Sequence, residues 1–371
     1  MSKTLKVIVA NMAVLAVLVV VIEAALQGFS FVRPSYEVLF LQPHRILGWT
    51  QVPDFKYTWA GSFWYSVDFS VDITTNSLGF RDKTRELAKP AGTKRVAMLG
   101  DSFIEANQVV IEQRASELLE RSLNESAPGK WEVLNFGVSN YGVGQYLLAW
   151  EQHARNYQPD YVTVFIAKFH MERTVSRYEY GAFTATEDGA LWVRPSFRVE
   201  NGQLIHEPAR DFEKFSQVQQ QLVQDKFGPD RSLKRSPWIL PVYYRQLRQR
   251  LADRLGVQEP DAPPAKPEAE TELYAVNAAI LEELGRQVKE AGAKLVILDA
   301  SRYFENGPEV TGFLKKSAET NGFGYIPVFE DLMKANRDGV TTRWKYDGHF
   351  NVAGNQIFAN TIGTWVKQES K

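Results

Sequence analysis

The sequence predicts an α/β fold: a parallel sheet with helices on both faces, plus an N-terminal transmembrane helix and a large insertion. Three observations predict it. Short apolar runs alternate with helical patterns over 95–173 and again over 273–371. Such runs mark strands buried on both faces, which is the habit of parallel sheets. Between the two stretches, residues 174–272 are polar and mixed and lose the alternation. At the N-terminus, Val7 to Ile22 carry no charge.

Residues 1–27 read as a membrane anchor. Lys3 and Lys6 precede the uncharged run, Asn11 is its only strongly polar member, and Ala24-Ala25-Leu26 continue it past Glu23. A spanning helix needs about 20 residues, with a lower limit near 17, so the segment is just adequate. The lysines hold its start in the cytoplasm and put the rest of the chain on the far side. No small-x-small cleavage site follows, which favours an uncleaved anchor over a signal peptide.

Residues 28–94 form an aromatic, turn-rich extension expected to pack on the core, with a strand or two between Phe63 and Ile73 and a tight turn over 75–82. From Arg95 the α/β pattern begins. Val96 to Leu99, ending in Gly100, is a buried strand, and Glu112 to Leu123 a helix. A strand beginning at Val133-Leu134, a helix over 143–156 and a strand over Tyr161–Ala167 complete the first half. The insertion, 174–272, carries a Gln-rich helix (Phe212 to Phe227) and a Pro- and Ala-rich surface loop over 259–270. The second half then reads as helix Leu273–Ala291, strand Lys294–Leu298, helix 309–320, strand Gly324–Phe329 and helix Val352–Val366. The simplest organisation is one sheet domain in two sequence halves.

Composition narrows the function. Net charge is -1 and no basic stripe is present, which argues against nucleic acid as a partner. There is no cysteine, so thiolate metal sites, disulfides and cysteine nucleophiles are excluded. No His/Asp cluster has metal spacing and no Gly-rich phosphate loop occurs, so neither metal nor cofactor is expected. Five histidines exist: His44, His153, His170, His206 and His349. Any histidine-dependent mechanism chooses among them.

Two constellations carry chemistry. Leu99-Gly100-Asp101-Ser102-Phe103 runs from a buried strand into the start of a helix, which sets Ser102 at the carboxyl end of the sheet with its N–H near a positive helix end. Taken alone, Gly-Asp-Ser is more often an ordinary capped turn. The second constellation is Tyr346-Asp347-Gly348-His349-Phe350-Asn351, just before the last helix. A serine hydroxyl needs a base to take its proton, and the base needs a carboxylate to orient it. Asp347 and His349, two apart around a glycine, suit that pairing. Asp101 is expected to cap its helix, and Glu105, Asn107 and Gln108 to be solvated or capping. Arg81 and Asp82 are expected to pair with each other. Trp59, Trp64, Tyr65 and Trp344 read as core aromatics before they read as a sugar platform.

Gly100-Asp101-Ser102-Phe103 after a strand, with a late Asp-Gly-His followed by Asn-x-x-Gly, resembles the SGNH/GDSL hydrolase superfamily. Asn76-Ser-Leu-Gly-Phe-Arg-Asp and Asn135-Phe-Gly-Val-Ser-Asn-Tyr-Gly resemble a membrane-anchored subgroup found near bacterial polysaccharide gene clusters. The resemblance covers roughly 76–175 and 273–367. It implies a flavodoxin-like sheet and a triad of Ser102, His349 and Asp347. It also implies deacylation, or transfer, of acyl and often acetyl esters on sugars. The expected setting is the periplasmic side of a bacterial inner membrane, with a polysaccharide substrate and polysaccharide-assembly proteins as partners. The oxyanion donors would be the N–H groups of Ser102 and Asn140, where the family has Gly at the second position. Asn tolerates unusual φ better than most residues. The family's Gly-x-Asn-Asp block is absent after the third strand, where Ala167-Lys168-Phe169-His170 stand instead. Lys168 and His170 are therefore the candidate substitute donors.

Overall fold

The computed structural model describes residues 3–32, 40–63, 66–126, 130–176, 178–180, 190–209, 212–213, 216–217, 267–304, 307–345 and 347–370. We number the strands of its central sheet β1 (Lys94–Gly100), β2 (Trp131–Gly137), β3 (Tyr161–Ile166), β4 (Lys294–Asp299) and β5 (Gly324–Ile326). All are parallel, in the spatial order β2-β1-β3-β4-β5, which is the flavodoxin-like order. The two sequence halves meet inside this sheet, where β3 pairs with β4 from Tyr161↔Lys294 to Ile166↔Asp299. The chain reverses its direction of travel between β1 and β3. At such a switch point the carboxyl ends of the strands open a crevice.

The helices are α1 (Lys3–Val32), α2 (Ser102–Glu105), α3 (Ala115–Ser126), α4 (Val143–Gln152), α5 (Lys168–Val175), α6 (Pro267–Glu290), α7 (Pro308–Asn321), α8 (Val328–Arg337) and α9 (Val352–Glu369). Alternate side chains of each strand feed opposite faces, as a period of two requires. Ala97, Leu99, Val162, Val164, Leu295 and Ile297 meet α4, α6 and α7 through Leu147, Ile280, Leu284 and Leu314. Val96, Met98, Phe165, Val296 and Leu298 meet α3, α8 and α9 through Leu119, Leu332, Phe358 and Ile362. Each of these buried Val, Leu, Ile, Phe and Met side chains contributes about 1.5–3 kcal/mol.

Several elements differ from expectation. The strand read over 324–329 ends at Ile326. Pro327 interrupts the apolar run, and Val328 and Phe329 open α8, burying with Leu332 at helical spacing. The helix expected from Leu273 starts at Pro267, so the last four residues of the stretch read as a loop are its first turn. Proline fits there because a helix leaves its first N–H groups without acceptors. The rest of that stretch, and the Gln-rich helix apart from 212–213 and 216–217, lie outside the described residues. The helix expected over 143–156 closes at Gln152 and continues as a 3₁₀ turn, Ala154–Tyr157.

Hairpins Leu41–His44/Gly48–Gln51 and Lys56–Phe63/Ser66–Thr74 precede the sheet. Trp49, Tyr57, Ile73 and Phe80 from this region share the core with α4 and α6. In the turn after them, the Asn76 side-chain oxygen accepts from the N–H groups of Leu78 and Phe80 at 3.0 and 3.0 Å. Arg81 and Asp82 do not pair with each other. Arg81 donates to the carbonyls of Glu105, Ala106 and Val109, closing the end of α2. Asp82 takes the buried Arg114 at 2.8 Å and the N–H of Asn135 at 3.0 Å. Trp59 packs edge-on against Phe40, and Trp344 packs at a tilt against Phe69, as core aromatics do, whereas Trp64 and Tyr65 fall outside the described residues. From the insertion, hairpin Ser196–Glu200/Gln203–Glu207 sends Phe197 into the same core. Helix α1 is long and apolar enough over Lys3–Ala25 to cross a membrane, and Val7, Met12, Leu15, Leu18 and Val21 on it are exposed.

Candidate active site

β1 delivers Gly100 to the crevice with no room for a side chain: a Cβ there would sit 2.1 Å from Ile104 Cγ1. Asp101 caps α2 as expected, accepting the Phe103 N–H at 3.0 Å. Ser102 follows as the first helical residue. Its N–H is one of those that a helix leaves without an internal acceptor.

The late loop comes to meet it. Ser102 Oγ lies 2.8 Å from His349 Nε2, and His349 Nδ1 lies 2.5 Å from Asp347 Oδ1. The same Asp347 oxygen accepts the His349 backbone N–H at 3.2 Å. One residue separates the pair, so the chain must fold back sharply between them. Gly348 does this at φ +86°, in the left-handed region glycine enters without penalty. The loop is pinned on both sides. Arg343 and Phe350 form an antiparallel bridge, and the Trp344 N–H donates to the His349 carbonyl at 2.9 Å. Asn351 then caps α9 through the Gly354 N–H at 2.9 Å. The His349 ring packs, tilted, against Phe103 at 4.7 Å, and Phe103 in turn meets Phe304 and Phe350 edge-on.

Asn140 stands on the turn after β2 at φ +64°, the left-handed conformation that Asn shares with Gly. Its turn is held by groups far away in sequence. The Trp49 indole donates to the Ser139 carbonyl at 2.9 Å, and Arg194 of the insertion to the Asn140 carbonyl at 3.0 Å. The Ser139 hydroxyl donates to buried Glu105, which also takes the Gln51 amide. Glu105, Asn107 and Gln108, expected to be solvated or capping, are all buried.

The substitute oxyanion donors fare differently. His170 does not fill the role. It is fully buried, its Nδ1 accepts the Ala167 N–H at 2.9 Å, and its Nε2 stands 3.0 Å from Asp101 Oδ2. Neither ring nitrogen is left to face an oxyanion. Lys168 opens α5 and is partly exposed, with its ammonium 3.6 Å from Glu172 one turn along. Sequence reasoning missed Arg173, whose guanidinium reaches Asp101 Oδ2 at 2.8 Å and Asn140 Oδ1 at 3.3 Å. The signal available was its spacing: three residues after His170, it shares a helix face with it. Among the described residues no group of three or more His, Asp or Glu is arranged to hold a metal ion.

Electrostatics at the histidine oppose one another. Burial pulls the His349 pKa down, but the hydrogen bond and charge of Asp347, backed by Asp101 and Glu105, carry it above 6.5. A base must be neutral to accept a proton, so any activity using His349 rises with pH through this raised value. The acid limb of kcat/KM for p-nitrophenyl acetate is therefore expected above pH 6.5, and a midpoint below pH 6 would contradict the assignment.

No family model matches the chain, and no curated protein does. Solved structures similar to it include the acetylxylan esterase Axe2 from Geobacillus stearothermophilus, 12% identical over 74% of this chain and 94% of that one, with a TM-score of 0.39. The lipase/acylhydrolase from Enterococcus faecalis is 11% identical over 75% and 97%, with a TM-score of 0.40. An alpha/beta hydrolase, LAE5, from the metagenome of Lake Arreo is 14% identical over 73% and 94%, with a TM-score of 0.39. Likeness at this level says nothing of chemistry, which rests on the geometry above.

Proposed function

We propose that this chain is a serine esterase or O-acyltransferase acting on acyl esters, chiefly acetyl, of a carbohydrate belonging to an exported polysaccharide. One observation carries the reading: Ser102, His349 and Asp347 form a continuous hydrogen-bonded chain across 247 residues of sequence. In that chain His349 Nε2 takes the Ser102 proton as Oγ attacks the acyl carbon. Asp347 holds the proton on Nδ1 and balances the imidazolium. The N–H groups of Ser102 and Asn140 receive the tetrahedral oxyanion. His349 then returns its proton to the departing sugar oxygen, leaving Ser102 acylated. Water as the second acceptor makes an esterase, and a sugar hydroxyl makes a transferase. The carbohydrate assignment rests on the sequence blocks at 76–82 and 135–142. Helix α1 would tether the chain to a bacterial inner membrane with the site in the periplasm, within reach of polysaccharide-assembly proteins.

The missing side-chain amide after β3 favours a second reading, a membrane-tethered polysaccharide-binding or assembly component that keeps the fold. Fluorophosphonate labelling of the full-length chain in detergent separates the two. The expected result is one label on the peptide carrying Ser102. A folded chain that binds polysaccharide and takes no label would support the binding component instead.

A further inference from the structure

We propose that Arg173 is the positioning residue of this site, clamping the Asn140 turn to the Asp101 cap of the nucleophile's helix. The inference rests on the esterase or transferase reading above. It starts from a buried carboxylate. Asp101 is fully buried, and a buried charge without a partner is strongly unfavourable. Oδ1 has the Phe103 N–H. Oδ2 faces His170 Nε2 at 3.0 Å and Arg173 Nη1 at 2.8 Å. His170 is held toward its neutral form, since burial and Arg173 lower its pKa against the pull of Asp101. Arg173 is therefore the cation that balances Asp101.

The same guanidinium does a second thing. Nη2 donates to Asn140 Oδ1 at 3.3 Å, and Nη1 reaches the Tyr141 carbonyl at 3.4 Å. The turn lies directly on α5: a Cβ on Gly142 would meet the His170 carbonyl and the Thr174 N at 2.9 Å. One planar, forked cation thus joins the helix that bears the nucleophile to the turn that bears the second oxyanion donor. It does so from α5, which begins where the family's side-chain amide is missing. The guanidinium carbon lies over the Phe169 ring, 4.9 Å from its centre. Lysine has a single point of charge and cannot span both partners.

That difference supplies the test. Arg173→Lys keeps a charge for Asp101 and gives up the fork. In the full-length chain in detergent, with p-nitrophenyl acetate, kcat is expected to fall about 10- to 100-fold, as misplacement of a reacting group does. KM should stay within about twofold, and the thermal midpoint within a few degrees. Asn140→Gly keeps the left-handed turn and its N–H but removes the side chain that Arg173 grips. In that background the loss from Arg173→Lys should shrink to about threefold or less, as shared partners dictate. Wild-type kcat in folded Arg173→Lys overturns the proposal, as does an undiminished loss in the Asn140→Gly background. If Ser102→Ala still turns over, the esterase reading has failed instead, and the two failures are told apart.

Discussion

Ser102→Ala is expected to lower kcat on an acyl ester by about 10⁴- to 10⁶-fold, the loss seen when the nucleophile of a serine triad is removed. The size follows from what the hydroxyl does. Its partner is His349 Nε2 at 2.8 Å, and the carboxylate beside it, Asp101, is locked by three donors and cannot take its place. The fold should survive the change, because α2 is capped by the Asp101 side chain and closed by Arg81, not by Ser102. The measurement is kcat for p-nitrophenyl acetate, with the thermal midpoint taken in parallel. A variant that keeps the wild-type midpoint and more than about a tenth of wild-type kcat would remove Ser102 from the chemistry.

The parts legible in the sequence share a physical trait: each is specified locally. Ser102 is readable because a short apolar run, Val96 to Leu99, ends in Gly100-Asp101, and a strand buried on both faces that stops at glycine must turn there. His349 is readable because few histidines compete with it and a carboxylate stands two residues away. The β1-to-β5 alternation of strand and helix is readable because strands buried on both faces are written as short continuous apolar runs. What stayed hidden depends on contacts between distant segments. Nothing near Arg173 announces that its partners are Asp101 and Asn140, 72 and 33 residues away. Glu105 read as solvated because glutamate usually is. Its burial follows from Gln51 and Ser139, which arrive from an N-terminal hairpin and from the turn after β2. Arg81 and Asp82 are adjacent, and adjacency suggested a pair. Neighbouring side chains diverge, so each found a partner elsewhere. The run Gly324 to Phe329 departs from the expected strand for a local reason. Apolar residues on either side of Pro327 look continuous, yet proline cannot donate to the ladder, and the chain starts α8 instead.

The Asp347 contact has the next largest consequence. Asp347→Asn should lower kcat about 10⁴-fold while leaving the Ser102–His349 spacing intact. Asp347 accepts the Nδ1 proton at 2.5 Å, which leaves Nε2 bare and able to accept from Ser102. An asparagine at this place can turn its NH2 group toward Nδ1. The ring then carries its proton on Nε2 and donates to the serine, so the base is present but in the wrong tautomer. The pH profile distinguishes this from simple disorder. Asp347 is the first of the influences that raise the His349 pKa, and burial opposes them all. Without the carboxylate, burial acts with less opposition and the residual acid limb should move to lower pH. A residual limb that stays where wild type has it would mean that Asp347 does not set the state of His349. The late loop would then place the histidine by its backbone bridges alone.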